Sequence, residues 1–224
     1  DAHDIEYYRN KLRIEQSKRV NEMIHKDIYV NTQSTEQLIS DITTLIFLME
    51  MIFKNLQLIN LQKKNDYKYD LNFEEEIDRF LEGSGSKYLD NNYIKYYYYT
   101  FRLLRTNDEK YYILLKEFAY SGSGGLSLLE IRDIYTALLN YCYFKLSAGE
   151  DNFVRELFLL ITKMVEKDVY TNQAGNIPNV FFMNAVTTGL ESGEISWVEK
   201  FIAEKGELLK DDSRVDTLNF CMAN

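Results

Sequence analysis

The side chains able to do acid–base or metal chemistry are few, and their spacing is poor for it. His3 and His25 are the only imidazoles, 22 positions apart in sequence. Glu22-x-x-His25 has the spacing of half a di-iron carboxylate site, but such a site takes a second Glu-x-x-His and further glutamates from other helices, and no second copy occurs. No His-Glu-x-x-His or Cys-x-x-Cys is present, so zinc ligation has no starting motif. Gly83-Ser84-Gly85-Ser86 and Gly122-Ser123-Gly124-Gly125 are rich enough in glycine to cradle a phosphate. Neither runs into Gly-Lys-Ser/Thr or follows a strand-like run, so both read as linkers. The Gly-x-Ser-x-Gly nucleophile elbow is absent. Glu74, Glu75 and Glu76 are consecutive, so on a helix they point around it rather than converging on a cation; a solvated first turn is the expectation. Cys142 and Cys221 sit in apolar helical runs, where a thiol behaves as a small hydrophobe. The expectation from these residues is no catalytic site, no cofactor and no metal.

The elements that would position any site are helices. Of 224 residues, 46% are hydrophobic and 27% charged, a globular composition, and the single proline, Pro178, leaves long stretches free to be helical. Tyr111, Leu114, Leu115, Phe118 and Ala119 recur at helical spacing, as do Phe153, Leu157, Phe158, Ile161, Met164 and Val165, and again Ile195, Val198, Phe201 and Ile202. Glycine- and serine-rich breakers separate these stripes. The pattern predicts ten helices, roughly 4–30, 35–64, 73–83, 86–105, 107–120, 127–147, 150–168, 178–191, 194–209 and one starting near 213. Ser34-Thr35-Glu36-Gln37 suits the start of the second. Mostly short connections imply antiparallel neighbours. The first two helices are long with weak stripes, so 1–85 reads as an N-terminal capping region and 86–224 as the body of one continuous unit.

Charge and composition exclude some partners. The net charge is −9, and residues 1–33 are balanced, so the excess acid lies downstream. An acidic surface repels phosphate backbones, and nucleic acid is not expected as a partner. The longest apolar run, Leu45 to Phe53, contains Glu50 and is too short to span a bilayer, so no membrane insertion is expected. Asp1-Ala2-His3-Asp4 does not open a signal peptide. The chain starts without Met and stops at Ala223-Asn224 inside an apolar pattern, which leads us to expect a fragment of a longer chain. A cytoplasmic location is the working expectation, a removed signal segment being the alternative.

The most specific signal is internal. Residues 98–119 can be laid over 140–161 and 182–205 at offsets of 42 and then 44, without gaps across the core of each pair. Thr100 meets Cys142 and Val186; Asn107 meets Gly149 and Gly193; Asp108 meets Glu150 and Glu194; Tyr111 meets Phe153 and Trp197; Leu115 meets Leu157 and Phe201. The columns have physical reasons. A Gly or Asn suits a left-handed residue closing a helix, and an acid beside it faces the positive end of the next. A small residue inside the first helix permits close approach, and the aromatic plugs the groove between the two helices.

These segments resemble the tetratricopeptide repeat (TPR), in which an Asn of the first helix precedes the turn glycine by nine residues, as in Asn140…Gly149-Glu150 and Asn184…Gly193-Glu194. They are also similar to the degenerate repeats of Bacteroidetes-type proteins, where Phe182-x-Asn184, Gly193-Glu194 and Trp197-x-x-x-Phe201-Ile202 occur in one unit. The resemblance covers about 88–224. It departs from the family at Val186, Val154 and Val198, where smaller residues are usual, and in a period above 34. It implies an all-α fold of antiparallel helix hairpins stacked in a right-handed TPR-like superhelix.

Its concave face would carry Ile94, Tyr97, Phe101 and Leu104, then Thr136, Leu139, Tyr143 and Leu146, then Val180, Met183, Thr187 and Leu190. Among these Tyr97, Phe101, Thr136, Tyr143, Met183 and Thr187 are the candidate peptide-binding residues. The dense run Tyr93, Tyr96, Tyr97, Tyr98, Tyr99 offers contact area with polar tips, suited to a binding surface or to helix packing. The implied function is a non-enzymatic scaffold for a peptide or protein segment. The alternatives are a ligand- or peptide-sensing region of a larger signalling or transcription protein, and an all-α enzyme with a pocket of unrecognised type. Self-association by continuing the stack at the interrupted last repeat is a further expectation.

Overall fold

The computed structural model describes residues 4–24, 32–65, 67–121, 124–172 and 174–223. Helices take up 80% of the described residues and no strand occurs among them, so the fold is all-α. The helices are α1 (Ile5–Ile24), α2 (Thr32–Asn65), α3 (Glu74–Leu81), α4 (Asn92–Thr106), α5 (Glu109–Ser121), α6 (Leu128–Ser147), α7 (Phe153–Glu166), α8 (Asn179–Glu191), α9 (Ile195–Lys205) and α10 (Asp211–Ala223). Short 3-10 turns lie at Ser86–Asp90 and Gly206–Leu208. The expected helix over 86–105 is therefore split. Asn91 is extended, and its side chain accepts hydrogen bonds from the backbone N–H groups of Tyr93 and Ile94, which starts α4 cleanly at Asn92. His3, His25, Gly122 and Ser123 lie outside the described residues.

The chain divides into two compact units, 1–127 and 128–224; the capping region expected from helix length and weak stripes, 1–85, falls within the first. In the first unit α2 packs against both α1 and α4, and α4 pairs with α5. Ile42, Leu48, Met49, Ile52 and Leu56 of α2 are buried, together with Ile77 and Leu81 of α3, Ile94, Tyr98 and Phe101 of α4, and Leu115 of α5. A 29-residue stretch of α2, Ser34–Gln62, is long and apolar enough to cross a bilayer by length and composition alone. The run 45–53 thus understates the apolar length of this helix, whose buried side faces α1 and α4 within the unit. The tyrosine run is largely packing: Tyr93, Tyr96 and Tyr98 are buried, because α4 is contacted by α2, by α5 and by the 3-10 turn before it.

In the second unit α6 pairs with α7 and α8 with α9, while α8 also touches α7 and α10. Helices joined by only a few residues and packed on one another run antiparallel. The turn column has a common backbone. Asn107, Gly149 and Gly193 all have positive φ, at 50°, 86° and 76°, the left-handed region that glycine enters without strain and asparagine tolerates. At the two glycine turns the next residue reaches back five positions: Glu150 N–H donates to Lys145 O and Glu194 N–H to Gly189 O, at 3.1 and 2.9 Å. Asp108 Oδ1 accepts from Lys110 N–H at 2.8 Å and caps α5. The aromatic column plugs its hairpins as the residues imply: Tyr111 meets Tyr98 edge-on at 6.0 Å and Phe153 meets Tyr141 at 5.9 Å.

Close approach in the third hairpin comes from another residue than the one aligned for it. Val186 is buried, and Gly189, one turn on, is where the helices touch. A Cβ there would lie 2.5 Å from Val198 Cγ2.

Candidate functional site

In the second unit a groove of about 340 Å3 opens between α6 and α8. Its rim is built from one register of each helix. Thr136, Asn140 and Tyr143 lie along α6 at helical spacing, and Val180 and Asn184 lie along α8 at the positions that the repeat pairs with Thr136 and Asn140. The floor is apolar, formed by Leu139, Ile161 and Met164. One wall is a ring stack: Tyr170 and Phe181 are nearly parallel with centroids 5.9 Å apart. Tyr170 reaches its place because the described residues of the α7–α8 connection are held by a turn and by burial. Asp168 has a φ of 57°, Val169, Tyr170 and Ile177 are buried, and Asn172 Oδ1 accepts the backbone N–H groups of Ala174 and Asn176. Arg132 closes one end, its guanidinium donating to Thr171 O at 3.1 Å.

The groove therefore offers apolar area flanked by side-chain amides and hydroxyls. Burial pushes the Tyr143 hydroxyl up to about 12, against a smaller downward pull from its hydrogen bond with Asn184. It stays protonated at neutral pH, as a donor rather than a base. An amide such as Asn140 or Asn184 can donate to a carbonyl and accept from an N–H at once, which matches the backbone of a peptide.

No family model, curated protein or solved structure matches this chain.

The candidate peptide-binding residues fall in different surroundings. Thr136 and Tyr143 line the groove. Met183 is half-buried and Thr187 exposed on α8, the turn beyond Val180 and alongside Asn184. In the first unit Phe101 is only 1% exposed, so it offers no surface to a ligand, and Tyr97 is half-buried against Phe53 of α2, ring centroids 5.5 Å apart. Arg132, Tyr170 and Phe181 are groove residues that sequence reasoning passed over. The buried pair Val169-Tyr170 in a polar stretch is the signal for the second of these, an apolar step where a linker would stay polar.

Two other places gather polar side chains, both in the first unit. A cleft of about 570 Å3 borders Tyr8, Lys87, Asn91 and Tyr93, whose polar groups are engaged internally. Asn91 Nδ2 donates to the Tyr8 hydroxyl at 2.7 Å, Lys87 Nζ and the Tyr88 hydroxyl both donate to Asp41 Oδ1 at 3.0 Å, and the Tyr93 hydroxyl donates to Gly125 O. The second is a cluster joining α3 to α4 and α5. Arg102 pairs with Asp78 and lies over the Tyr111 ring, 5.2 Å from its centroid, while Lys110 Nζ and the Tyr111 hydroxyl donate to Glu82 Oε1, each at 3.0 Å. Burial raises the Asp78 carboxyl despite Arg102 beside it. Burial raises the Tyr98 hydroxyl as well, helped by Tyr111 and by the Asp78 charge. The bond from Lys110, then that from Tyr111, holds Glu82 below the usual carboxylate range. A proton donor working near neutral pH needs a pKa near it; Tyr98 is pushed further from that range, and the cluster acts as a staple between helices. Among the described residues no three His, Cys, Asp or Glu side chains converge on a metal position.

Proposed function

We propose that this chain is a non-enzymatic interaction module of TPR-like helix hairpins, and that the groove between α6 and α8 holds a peptide segment of a partner protein. The observation that carries this reading is the groove itself, an apolar floor under a rim of Thr136, Asn140, Tyr143 and Asn184. Apolar pockets anchor side chains, and convergent amides set the register of a bound backbone. The hairpin pairing and the shared left-handed turn residue support the repeat reading. Of the candidate set, Thr136 and Tyr143 belong to this groove, while Met183 and Thr187 lie beside it on α8, Phe101 is in the core and Tyr97 packs against α2.

The test is a peptide-display selection on the purified chain, repeated on Thr136→Trp. Position 136 is exposed, so the indole fills the groove without entering the core. Peptides enriched on the wild type that lose at least about tenfold in affinity on the variant, a difference of about 1.4 kcal/mol, support the groove. Enriched peptides indifferent to the indole, or no enrichment, would remove it as the binding site.

A further inference from the structure

The first unit carries a second apolar trough, of about 410 Å3, between α2 and α3, lined by Phe47 and Leu48 on one side and by Phe73, Glu76, Ile77 and Phe80 on the other. Leu48 and Ile77 form its closed base. Phe47 and Phe73 stand in solvent, 43% and 52% exposed, their rings edge to face at 5.6 Å.

Phe73 is badly placed for the fold alone. It precedes α3 with a φ of 56° and ψ of 25°, a region where a bulky side chain is strained and where Gly or Asn is at ease. As the N-cap it supplies no side-chain acceptor to the first turn. Its backbone is held there by neighbours: the buried Asn55 side chain donates to Asn72 O at 2.9 Å, and Phe73 O accepts from Ile77 N–H. Apart from its edge contact with Phe47, itself exposed, the ring strains the backbone, leaves a cap unmade and faces water, a poor return for the folded chain alone. Local rules broken together in this way cluster at working surfaces.

The geometry points to an occupant. On α2 the wall runs at positions 44, 47 and 48, and on α3 at 73, 76, 77 and 80, so residues at helical spacing on both sides border an apolar groove, the kind of surface on which an amphipathic helix lays its apolar face. The rim is acidic. Glu75 and Glu76 are exposed, and the nearest cation on α3, Arg79, sits 3.7 Å from Glu76 and is itself 74% exposed. We propose that this trough docks a short amphipathic helix of a partner, its apolar face on Phe47 and Phe73 and a Lys/Arg flank against Glu75 and Glu76.

The probe is a lactam-bridged helix of about four turns with a leucine face and a lysine flank, compared with the same helix carrying glutamates. Both are titrated against the full chain by fluorescence anisotropy, with Phe73→Asn and Phe47→Gln as variants and thermal melts alongside. The lysine helix is expected to bind the wild type, to weaken with salt, and to lose at least about tenfold on either variant. Phe73→Asn should at the same time melt at a higher temperature. The proposal is overturned if neither helix binds, if both bind alike, if the variants bind as the wild type does, or if Phe73→Asn melts lower, which would make the ring a stabilising part of the fold. A dimer in sedimentation equilibrium that Phe73→Asn dissociates would also overturn it, giving the trough to a second copy.

Discussion

Replacing Gly189 by alanine sets two known effects against each other. A helical Gly→Ala change favours the fold by about 1 kcal/mol through propensity. Against this, the new methyl would stand 2.5 Å from Val198 Cγ2 and 3.5 Å from both Phe158 Cε2 and Trp197 Cε3. Carbon contacts relax at roughly 3.5–4.0 Å, so one contact is short by about 1 Å and two are already at their limit. Val198 is 4% exposed and β-branched, with one strongly preferred rotamer on a helix, so α9 itself must move. Overpacking of this kind costs about 1–3 kcal/mol, and with a rigid neighbour we take the upper half. The net expectation is a loss of about 1–2 kcal/mol.

The assay is urea unfolding followed by fluorescence of Trp197, the single tryptophan, which stacks on Phe201 and meets Phe158 edge-on. With a slope near 2 kcal/mol per molar, the midpoint falls by about 0.5–1 M. The decisive arm is the same change in a Val198→Ala background. With the clashing methyl gone, only propensity remains, and Gly189→Ala should become neutral or stabilising by up to about 1 kcal/mol. A Gly189→Ala chain more stable than the wild type, or a cost unchanged in the Val198→Ala background, would refute the close-approach argument. Gly193→Ala is the contrasting case. Nothing lies within 4 Å of its would-be Cβ, so its cost of about 1–2 kcal/mol is left-handed backbone strain alone and Val198→Ala should not relieve it.

Three further outcomes follow from the same structure. Phe101→Ala removes a ring that is 1% exposed and should destabilise the first unit by about 3–5 kcal/mol in urea; a cost under about 1 kcal/mol would contradict its place in the core. Asp41 is held below the ordinary 3.8 chiefly by the bond from Lys87, and Glu82 below the ordinary 4.5 by those from Lys110 and Tyr111. Depressed folded pKa values contribute stability above those ordinary values and lose it as pH falls through the depressed ones, so Asp41→Asn with Glu82→Gln should flatten the acid limb of a midpoint-against-pH curve. Tyr143, raised from 10.0 to about 12 by burial, has the opposite sign. Its contribution is complete below pH 10 and is lost as pH climbs to 12; Tyr143→Phe should therefore retain more of its neutral-pH stability at high pH than the wild type does, and equal alkaline losses would count against the burial of that hydroxyl.

Residues that act on their chain neighbours were legible one position at a time. The stripes of α5, α7 and α9 follow from spacing, and Asn107, Gly149 and Gly193 announced left-handed turns, since the energy of a positive φ belongs to the residue itself. Pairing of each helix with the next also came from short connections, which leave little choice of direction. The groove was half legible: Thr136 and Tyr143 follow from the repeat register, but Tyr170 and Phe181 meet only because the connection after α7 turns one ring onto the other.

The rest depends on which sides of helices distant in the chain come to face each other. Amphipathic spacing says that Phe101 has a face in common with Tyr97, and not whether that face looks outward or into α2. The repeat alignment puts the close-approach column at Val186, and not at Gly189, because the point of closest approach is set by the crossing of two helices rather than by either one. Nor does a lone Phe in front of three glutamates reveal a left-handed backbone at position 73, which a buried asparagine from another helix holds in place. Local energies select the elements and their turns, while burial is decided by pairs of surfaces, and those exist only once the chain has folded.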